Sequence, residues 1–385
     1  MAVRESTSSF LGTFVLVFLA IAGLFVVDTF LAKTEHSESE AEGRRLFQDG
    51  QRLMQAGRGE DAVHQYQAAL SISRGNREYQ LALANGLLAT GQLANAESTL
   101  LDLLQQNSTD AEANLIMARL LVKEDRIPEA ISYYHRAVDG RWNQDAAANR
   151  ARTRFELVDF LARQSSKEEL LAELLPLQEE TPDDVNTQKR IGRLFLAAGA
   201  PARAAEVFHE ILRRGSQTDP EVRAGLGEAE FAQGNYRASE TDFLAAVRLK
   251  PDDDVDRQRA ELSRSVLELD PMQRGLGPNE RYRRSAKLLE MTLHELDRCV
   301  GGNSPQALQT PGSLDQALQT QTMQQAMDSA KKALNRRVSA SGQNDAFDQN
   351  LDLAEQLWQM RTKQCTQPLP QADQPLVLVM GKIAQ

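Results

Sequence analysis

The sequence contains little cysteine. Its 385 residues include only Cys299 and Cys365, and neither belongs to a CxxC pair. Two cysteines are too few for a small domain held together by disulfides, and they lack the ligand spacing of a structural zinc site, so no metal is expected. Two alternatives stay open for the pair. It forms a disulfide if this part of the chain is exported to an oxidising compartment, or stays as two thiols in the cytosol.

Aromatic residues are also scarce, and acidic residues outnumber basic ones. Aromatics make up 5% of the chain, whereas the helix-favouring residues Ala, Leu, Gln, Glu and Arg are abundant. Few strands are therefore expected, and the composition favours an all-α protein. The formal net charge is −10. A surface of this sign repels the phosphate backbone on average, so nucleic acid is not expected as a partner.

Sequence motifs of the common catalytic sites are missing. There is no HExxH, no GxxxxGK[ST] and no GxSxG, so zinc-protease, nucleotide-phosphate and serine-hydrolase sites lack their residues. The acidic run at 252–254 fails as a calcium loop, because Arg257 and Ser263 stand where an EF-hand needs Gly and Glu. The sequence predicts neither an enzyme nor a cofactor. The histidines are scattered and are expected to be solvated or structural: His36, His64, His135, His209 and His294.

One long hydrophobic run stands apart from this polar chain. Residues 6–27 carry no charge, and as a helix they would extend about 33 Å at ~1.5 Å per residue, enough to cross a bilayer core of ~30 Å. We expect a retained membrane anchor there. The alternative is a cleaved signal peptide with Ala20-Ile21-Ala22 as its small-residue site. Because the segment before the run is so short, we expect the N-terminus in the cytoplasm and the bulk of the chain exported across the membrane.

A period of 34 residues dominates the sequence after this run. The turn residues Gly57, Gly91 and Asp125 recur at that interval. Small and large residues keep the same step, at Ala62, Ala96 and Ala130 and at Tyr66, Leu100 and Tyr134. Each unit reads as two antiparallel helices joined by a tight turn, and the second helix carries an apolar stripe. A lone hairpin cannot bury that stripe, so the units are predicted to stack.

These units resemble the tetratricopeptide-repeat family. The first unit matches its pattern at Leu46, Gly50, Leu53, Ala62, Tyr66 and Ala69, and later units match at Ile191, Gly192, Phe195, Gly199, Ala204 and Phe208 and at Leu226, Gly227, Phe231, Gly234, Phe243, Ala246 and Pro251. The fourth unit, residues 146–181, is degenerate. The resemblance implies an all-α, right-handed superhelical solenoid of antiparallel helix pairs, preceded by one transmembrane helix.

The chain then divides by composition and register. The predicted segments are the anchor at 1–33, an acidic linker at 34–42, an array of about six units at 43–255, capping helices at 256–300, a low-complexity linker at 301–322 that twice spells QALQT, and C-terminal helices with a tail at 323–385. The terminal apolar run, residues 376–383, is expected to dock back onto the preceding helices as a cap. A separate partner-binding motif is the alternative.

The resemblance also implies a binding surface. In this family the first helices of the units line a concave groove that receives an extended peptide or a partner helix. The fifth and ninth residues of the units fall on that face, and they are the candidate binding residues: Phe47, Gln51, Leu81, Asn85, Leu115, Arg119, Lys189, Arg193 and Glu228. Polar groups would pair with a peptide backbone, while apolar ones receive its side chains.

Two family subtypes can be compared with this surface. Repeats that grip a C-terminal carboxylate place Lys and Asn where this chain has Phe47 and Gln51, and Arg where it has Ile116. That clamp is therefore absent. The chain also resembles membrane-anchored repeat proteins that assist envelope assembly, although it lacks the tail with paired CxxC motifs that some of them carry.

Together these features predict a membrane-anchored scaffold that binds proteins or peptides and assists the assembly of envelope proteins. The substitutions Arg119→Glu and Arg193→Glu are expected to weaken that binding without unfolding the array. The alternative function is a self-assembling structural protein, a homo-oligomer that stacks through its terminal helices and has no peptide ligand.

Overall fold

The computed structural model describes residue 18 and residues 38–181, 184–216, 218–302, 314–365, 369–370 and 373–384. Apart from one isolated parallel bridge, the regular structure in these ranges is helical. The predicted anchor, residues 6–27, lies outside them except for residue 18. Within the described ranges, no helix is both long enough and apolar enough to cross a membrane. The chain forms two compact units, residues 1–164 with 179–181, and residues 165–178 with 182–385.

The first unit is a series of helical hairpins. Its described helices are α1 (residues 38–55), α2 (Gly59–Ile72), α3 (Arg77–Ala89), α4 (Leu93–Gln106), α5 (Ala111–Lys123), α6 (Ile127–Asp139) and α7 (Ala146–Gln164). Helices that are consecutive in sequence pack against each other, and the first helices α3 and α5 of neighbouring hairpins also touch. Each apolar stripe is thus buried between its own hairpin and the next.

The turn inside each hairpin explains one part of the sequence period. Gly57 and Gly91 have φ angles of 74° and 78°, and Asp125, which takes the glycine position in the third unit, has a φ of 60°. The backbone N–H of the next residue closes the turn in the same way in all three repeats, and in the third Arg126 donates to the carbonyl of Leu121 at 2.9 Å. Aspartate tolerates the left-handed region better than most residues, so the turn survives without glycine.

Small and large residues in register build the core of this unit. Ala62, Ala96 and Ala130 are completely buried, and the large residues four positions later in each unit are buried as well. Gly50 shows how tight the packing is, because a Cβ atom there would lie 2.5 Å from the Tyr66 ring. The prediction of stacked helical hairpins is confirmed for this unit.

The second unit continues with hairpins and ends in a helical bundle. Its helices are α8 (Lys167–Glu180), whose last residues belong to the first unit, α9 (Val185–Ala197), α10 (Pro201–Arg213), α11 (Pro220–Ala232), α12 (Tyr236–Leu249), α13 (Asp254–Leu269), α14 (Pro278–Gly302), α15 (Leu314–Asn335), a 3₁₀ turn (Ala340–Gly342), α16 (Gln343–Gln364) and α17 (Gln374–Ile383). Helix α15 begins at Leu314, so residues 314–322, which composition assigned to a linker, are helical.

The first helix of most hairpins begins behind an acidic or amide cap. A side-chain oxygen at this position accepts one or two backbone N–H groups of the first turn, which stabilises a helix by about 1 kcal/mol. The caps are Asn76 for α3, Asp110 for α5, Asp184 for α9, Asp219 for α11 and Asp253 for α13. The repeat period therefore fixes where these helices start as well as where they turn.

The C-terminal bundle has its own apolar core, to which α13, α14, α15, α16 and α17 all contribute. The terminal run forms α17, which packs mainly on α13 and buries Leu376, Val379 and Met380. At its end the ammonium group of Lys382 lies 2.6 Å from a carboxylate oxygen of the buried Asp270. In this bundle, α17 covers one face of α13.

The two cysteines are joined. Cys299 near the end of α14 and Cys365 just after α16 form a disulfide, with Cα atoms 6.2 Å apart, within the usual span of such a bond. Of the two alternatives that the sequence leaves open, the structure contains the disulfide. It links the ends of α14 and α16 through two cysteines that are 66 residues apart in the sequence.

Candidate functional site

A groove of about 720 Å³ lies on the first-helix side of the first unit. Four of the candidate binding residues line it, namely Phe47, Gln51, Leu81 and Asn85. A second cavity of about 500 Å³ shares Phe47, Gln51, Asn76 and Glu78 with the first and extends along α1. The fifth and ninth positions of units one and two therefore come together in one continuous depression.

The apolar members of this set form the floor of the groove. Phe47 and Leu81 are only 8% and 4% exposed, and Leu115 in the next unit is 8% exposed. The Phe47 ring stacks on Tyr79 with ring centroids 4.9 Å apart and also touches Tyr66 at 5.8 Å. Most of the surface of these side chains is buried between repeats, so they offer a bound peptide a flat apolar surface instead of deep pockets.

Amide side chains rise from this floor into solvent. Gln51 and Asn85 are exposed, and the described chain offers their side chains no hydrogen-bond partner. Asn143 and Gln144 add two further exposed amides from the connection between α6 and α7. A carboxamide both donates and accepts, which is the pairing that an extended peptide backbone requires.

The connection between α6 and α7 is not predicted from the sequence as part of the groove. It spans residues 140–145, two residues more than the connections after α2 and α4, and it folds back over the tip of α5. The Arg141 N–H donates to the Thr109 carbonyl at 2.8 Å, and the Ala111 N–H donates to the Arg141 carbonyl at 3.2 Å. The half-buried Trp142 becomes a wall of the groove, because its indole N–H donates to the Ala137 carbonyl at 3.1 Å.

A signal for this wall exists in the sequence. Trp142 is one of only two tryptophans, and Gly140-Arg141-Trp142 interrupts the helical pattern where the fourth unit degenerates. The repeat pattern describes helices and does not describe the connections between them. It therefore does not predict that the connection between α6 and α7 folds back over the tip of α5.

Arg77, the cation in the lining of the main cavity, is already paired with carboxylates of the chain. Arg77 at the start of α3 makes a bidentate pair with Asp110, one contact at 2.8 Å, and its other partner Glu112 lies at 3.3 Å. The hydrogen bonds that Arg77 donates to Asp110 hold the pKa of Arg77 above its usual value, and burial opposes that shift. Asp110 itself is only 2% exposed. Arg77 is therefore a structural cation more than a ligand for anions.

Arg119, the ninth residue of the third unit, is also paired. Its guanidinium makes two bonds to Glu156 of α7, at 2.8 and 2.6 Å, and the Tyr134 hydroxyl donates to the same carboxylate at 2.9 Å. Burial alone would raise the pKa of Glu156, but the bond and charge of Arg119 outweigh it and the pKa lies below its usual value. Arg119→Glu would break this cluster, so it does not test binding alone.

In the second compact unit, the candidate residues on α9 form ion pairs with acidic residues at the start of α11. Lys189 lies 3.0 Å from both Asp219 and Glu221. Arg193 also reaches Glu221, at 2.9 Å. These pairs connect α9 to α11, and the sequence register gave no hint of them because their partners are about 30 residues away.

Glu228 repeats this arrangement one hairpin further along. Its carboxylate lies 3.2 Å from Arg259 and so connects α11 to α13. In the second compact unit, the residues at the fifth and ninth positions of the repeats thus hold adjacent hairpins together through ion pairs. The exposed, unpaired amides are in the first unit.

The described residues offer nothing that would hold a metal: no group of three or more His, Cys, Asp or Glu side chains is gathered there. What the groove can do chemically is to form hydrogen bonds over an apolar floor beside an indole ring. These are contacts that an extended peptide segment can use.

Comparison with known proteins agrees with the hairpin architecture. Sequence profiles of the tetratricopeptide repeat match residues 53–120 and 189–254. Proteins with these repeats are generally scaffolds for protein–protein interactions, and the profiles indicate no catalytic family. Among curated proteins no sequence matches this chain.

Several solved structures are similar to the chain. YrrB, described as a TPR protein with an unusual peptide-binding site, is 16% identical, with 51% of this chain and 97% of that chain covered and a TM-score of 0.39. The pilF protein of Pseudomonas aeruginosa is 19% identical, with 66% and 99% covered and a TM-score of 0.29. The TPR2AB domain of yeast Sti1, in a complex with pHSP90, is 13% identical, with 84% and 99% covered and a TM-score of 0.27.

The two profile matches fall one in each compact unit, over helices whose caps, turns and buried alanines keep the repeat register. This chain carries tetratricopeptide repeats in both of its units.

Proposed function

We propose that the protein is a membrane-anchored scaffold that binds extended segments of other proteins in the groove of its first unit. The observation that carries the proposal is the combination of an apolar floor with exposed amides that have no partner in the described chain. Such a surface satisfies a peptide backbone without demanding one particular side chain. This suits a scaffold that gathers several envelope proteins.

The groove can be tested by blocking it. Asn85→Trp places a large ring over the floor from an exposed position, so peptides should be excluded while the core stays intact. We expect the full chain, purified in detergent, to retain members of a displayed library of random twelve-residue peptides, and Asn85→Trp to reduce retention about ten-fold or more, a change of ~1.4 kcal/mol.

The matched control is Gln67→Trp, the same change at an exposed position on the second helix α2, away from the groove. It should retain peptides like the unmodified chain. Equal retention by the Asn85 and Gln67 variants would refute binding in this groove.

The cellular placement is part of the same proposal. Residues 6–27 anchor the chain in a bacterial inner membrane and the body lies in the periplasm. The disulfide between Cys299 and Cys365 supports this side of the membrane, because such bonds persist in oxidising compartments and are rare in the cytosol.

Thiol labelling in intact cells tests the placement. A membrane-impermeant maleimide is expected to leave the unmodified chain unlabelled until a reductant is added, and to label Cys365→Ser directly, because Cys299 is then free. Labelling of either form only after the cells are lysed would place the body in the cytosol and contradict the proposal.

A further inference from the structure

We propose that the groove of the first unit selects peptides that carry a lysine or arginine, and that the cationic side chain is received between Trp142 and Glu78. The inference rests on the proposed peptide groove and adds the chemistry of its guest. It concerns a wall that the connection between α6 and α7 supplies and that helical periodicity does not define.

Charge is the first argument. The charged side chains along the main cavity are Arg77, Glu78 and Glu112. Arg77 is neutralised by the buried Asp110 and by Glu112, as its three contacts show. The surface left for a guest is therefore acidic. In the main cavity an anionic side chain would meet Glu78 and Glu112 without a free cation, and like charges in a partly enclosed site are unfavourable. The cavity along α1 adds one carboxylate and one exposed cation, Arg44, so it does not reverse this charge.

The position of Glu78 is the second argument. It is exposed in the first turn of α3, and no ion-pair partner for its carboxylate is found in the described part of the chain. It lines both the main cavity and the cavity along α1. A peptide that extends through both cavities must pass this carboxylate, so a side chain of opposite charge can reach it.

The indole wall is the third argument. The Trp142 ring cannot turn freely, because its N–H is bonded to the Ala137 carbonyl and the adjacent backbone is bonded to the tip of α5. A fixed tryptophan face is the best aromatic surface for a Lys or Arg side chain. The apolar stem of the same side chain would lie on the floor formed by Leu81.

The alternatives fit less well. A C-terminal carboxylate or a phosphorylated segment needs a clamp of several free cations. Arg77 is occupied, and Arg44 in the cavity along α1 is a single cation that shares that lining with Glu40. A purely apolar helix would cover the exposed amides of Gln51 and Asn85 without satisfying them, which costs free energy. An extended basic segment satisfies the amides through its backbone and the carboxylate through its side chain.

The experiment uses the full chain in detergent and the same random twelve-residue peptide library, with the retained peptides sequenced. Lysine and arginine should be enriched over aspartate and glutamate. Trp142→Leu, which keeps an apolar wall but removes the aromatic face, should lower that enrichment about three- to ten-fold. Trp142→Phe keeps an aromatic face and should preserve most of it, which separates loss of the face from loss of the loop.

Glu78→Gln should lower the enrichment about two- to five-fold, the range of an exposed ion pair. Its matched control is Glu60→Gln, the same change in the first turn of α2 and outside the groove, which should change nothing.

Three results are distinguishable. Enrichment of basic residues that falls in Trp142→Leu and Glu78→Gln but persists in Glu60→Gln establishes the inference. A second result is that Asn85→Trp abolishes peptide retention but the retained peptides show no enrichment of basic residues, or an enrichment that neither Trp142→Leu nor Glu78→Gln changes. This result overturns the inference and leaves the proposed groove in place. Retention that Asn85→Trp does not change overturns the proposed groove and the inference with it.

Discussion

Gly225→Ala is expected to destabilise the second unit, although replacing a helical glycine by alanine usually stabilises a helix by up to about 1 kcal/mol. The reason is the fully buried ring of Phe208 from α10. A Cβ atom at position 225 would lie 2.4 Å from its Cζ atom, and one at position 192 would lie 2.7 Å from the same atom. The ring is held between two glycines, on α9 and α11, so it cannot move away from one without approaching the other.

We expect a net loss of about 1–3 kcal/mol, the usual range for overpacking a core. Hydrogen exchange measures it locally: the amides of α10 and α11 should exchange about five- to one-hundred-fold faster, since each ten-fold step corresponds to ~1.4 kcal/mol. Gly381→Ala provides the matched control. Position 381 is a helical glycine of the same unit with no atom within 4 Å of its added Cβ, so alanine there should slow exchange in α17.

A double variant distinguishes steric conflict from any other effect of the alanine. Phe208→Leu removes the ring atoms that approach position 225, so adding Gly225→Ala to Phe208→Leu should cost much less than adding it to the unmodified chain. Strictly additive effects of the two changes would show that the ring is not what opposes the alanine.

The hairpins could be predicted from sequence because their determinants are local. Turn residues, caps and small core residues act within one unit, and the period of 34 brings each into register with its equivalent. Ala62 and Tyr66 therefore have the predicted burial. Even Asp125 in place of glycine is recognisable as a turn residue from its spacing, and its φ of 60° agrees with that position.

The groove could be predicted only in outline. The register places Gln51 and Asn85 on the first-helix face, and both are exposed in the structure. It contains no sign that Tyr79 of the next repeat stacks on Phe47. Burial of that kind depends on the distance between neighbouring hairpins, which no single-unit pattern contains. The pairing of Arg119 with Glu156, 37 residues away, is hidden for the same reason.

The wall of the groove lies beyond this kind of prediction. The connection that carries Trp142 is held to the tip of α5 by hydrogen bonds between backbone groups, and every residue except proline has both a backbone donor and an acceptor. A sequence pattern therefore cannot specify them. The same holds for residues 314–322, where a Gln-rich composition typical of a linker forms the first turns of α15.

Asp110→Ala is expected to have the largest effect in the first unit, a loss of about 3 kcal/mol or more. The side chain caps α5 by accepting the Ala113 N–H at 3.1 Å, a role worth about 1 kcal/mol. It also holds Arg77 of α3 from a buried position. Removing one partner of a buried pair costs ~3–5 kcal/mol, and the partial exposure of Arg77 places the loss toward the lower end.

Asn76→Ala is the control within the same unit, because Asn76 caps α3 through the N–H groups of Glu78 and Tyr79 and is not part of an ion pair. It should cost only about 1 kcal/mol. Hydrogen exchange of the α3 and α5 amides compares the two variants. If Asp110→Ala and Asn76→Ala accelerate exchange equally, the ion pair contributes nothing and the cap alone accounts for Asp110.

The same substitution connects stability to specificity. With Asp110 gone, Arg77 keeps only Glu112, and its charge becomes available at the groove. The groove becomes less acidic, because Glu78 and Glu112 remain while the charge of Arg77 is less fully compensated, so the preference for basic peptides should weaken in the fraction of Asp110→Ala that remains folded. Asp110→Asn keeps an oxygen for the cap and removes the charge, so it should weaken the preference as strongly while costing less stability. The buried carboxylate thus strengthens the negative charge that the groove presents.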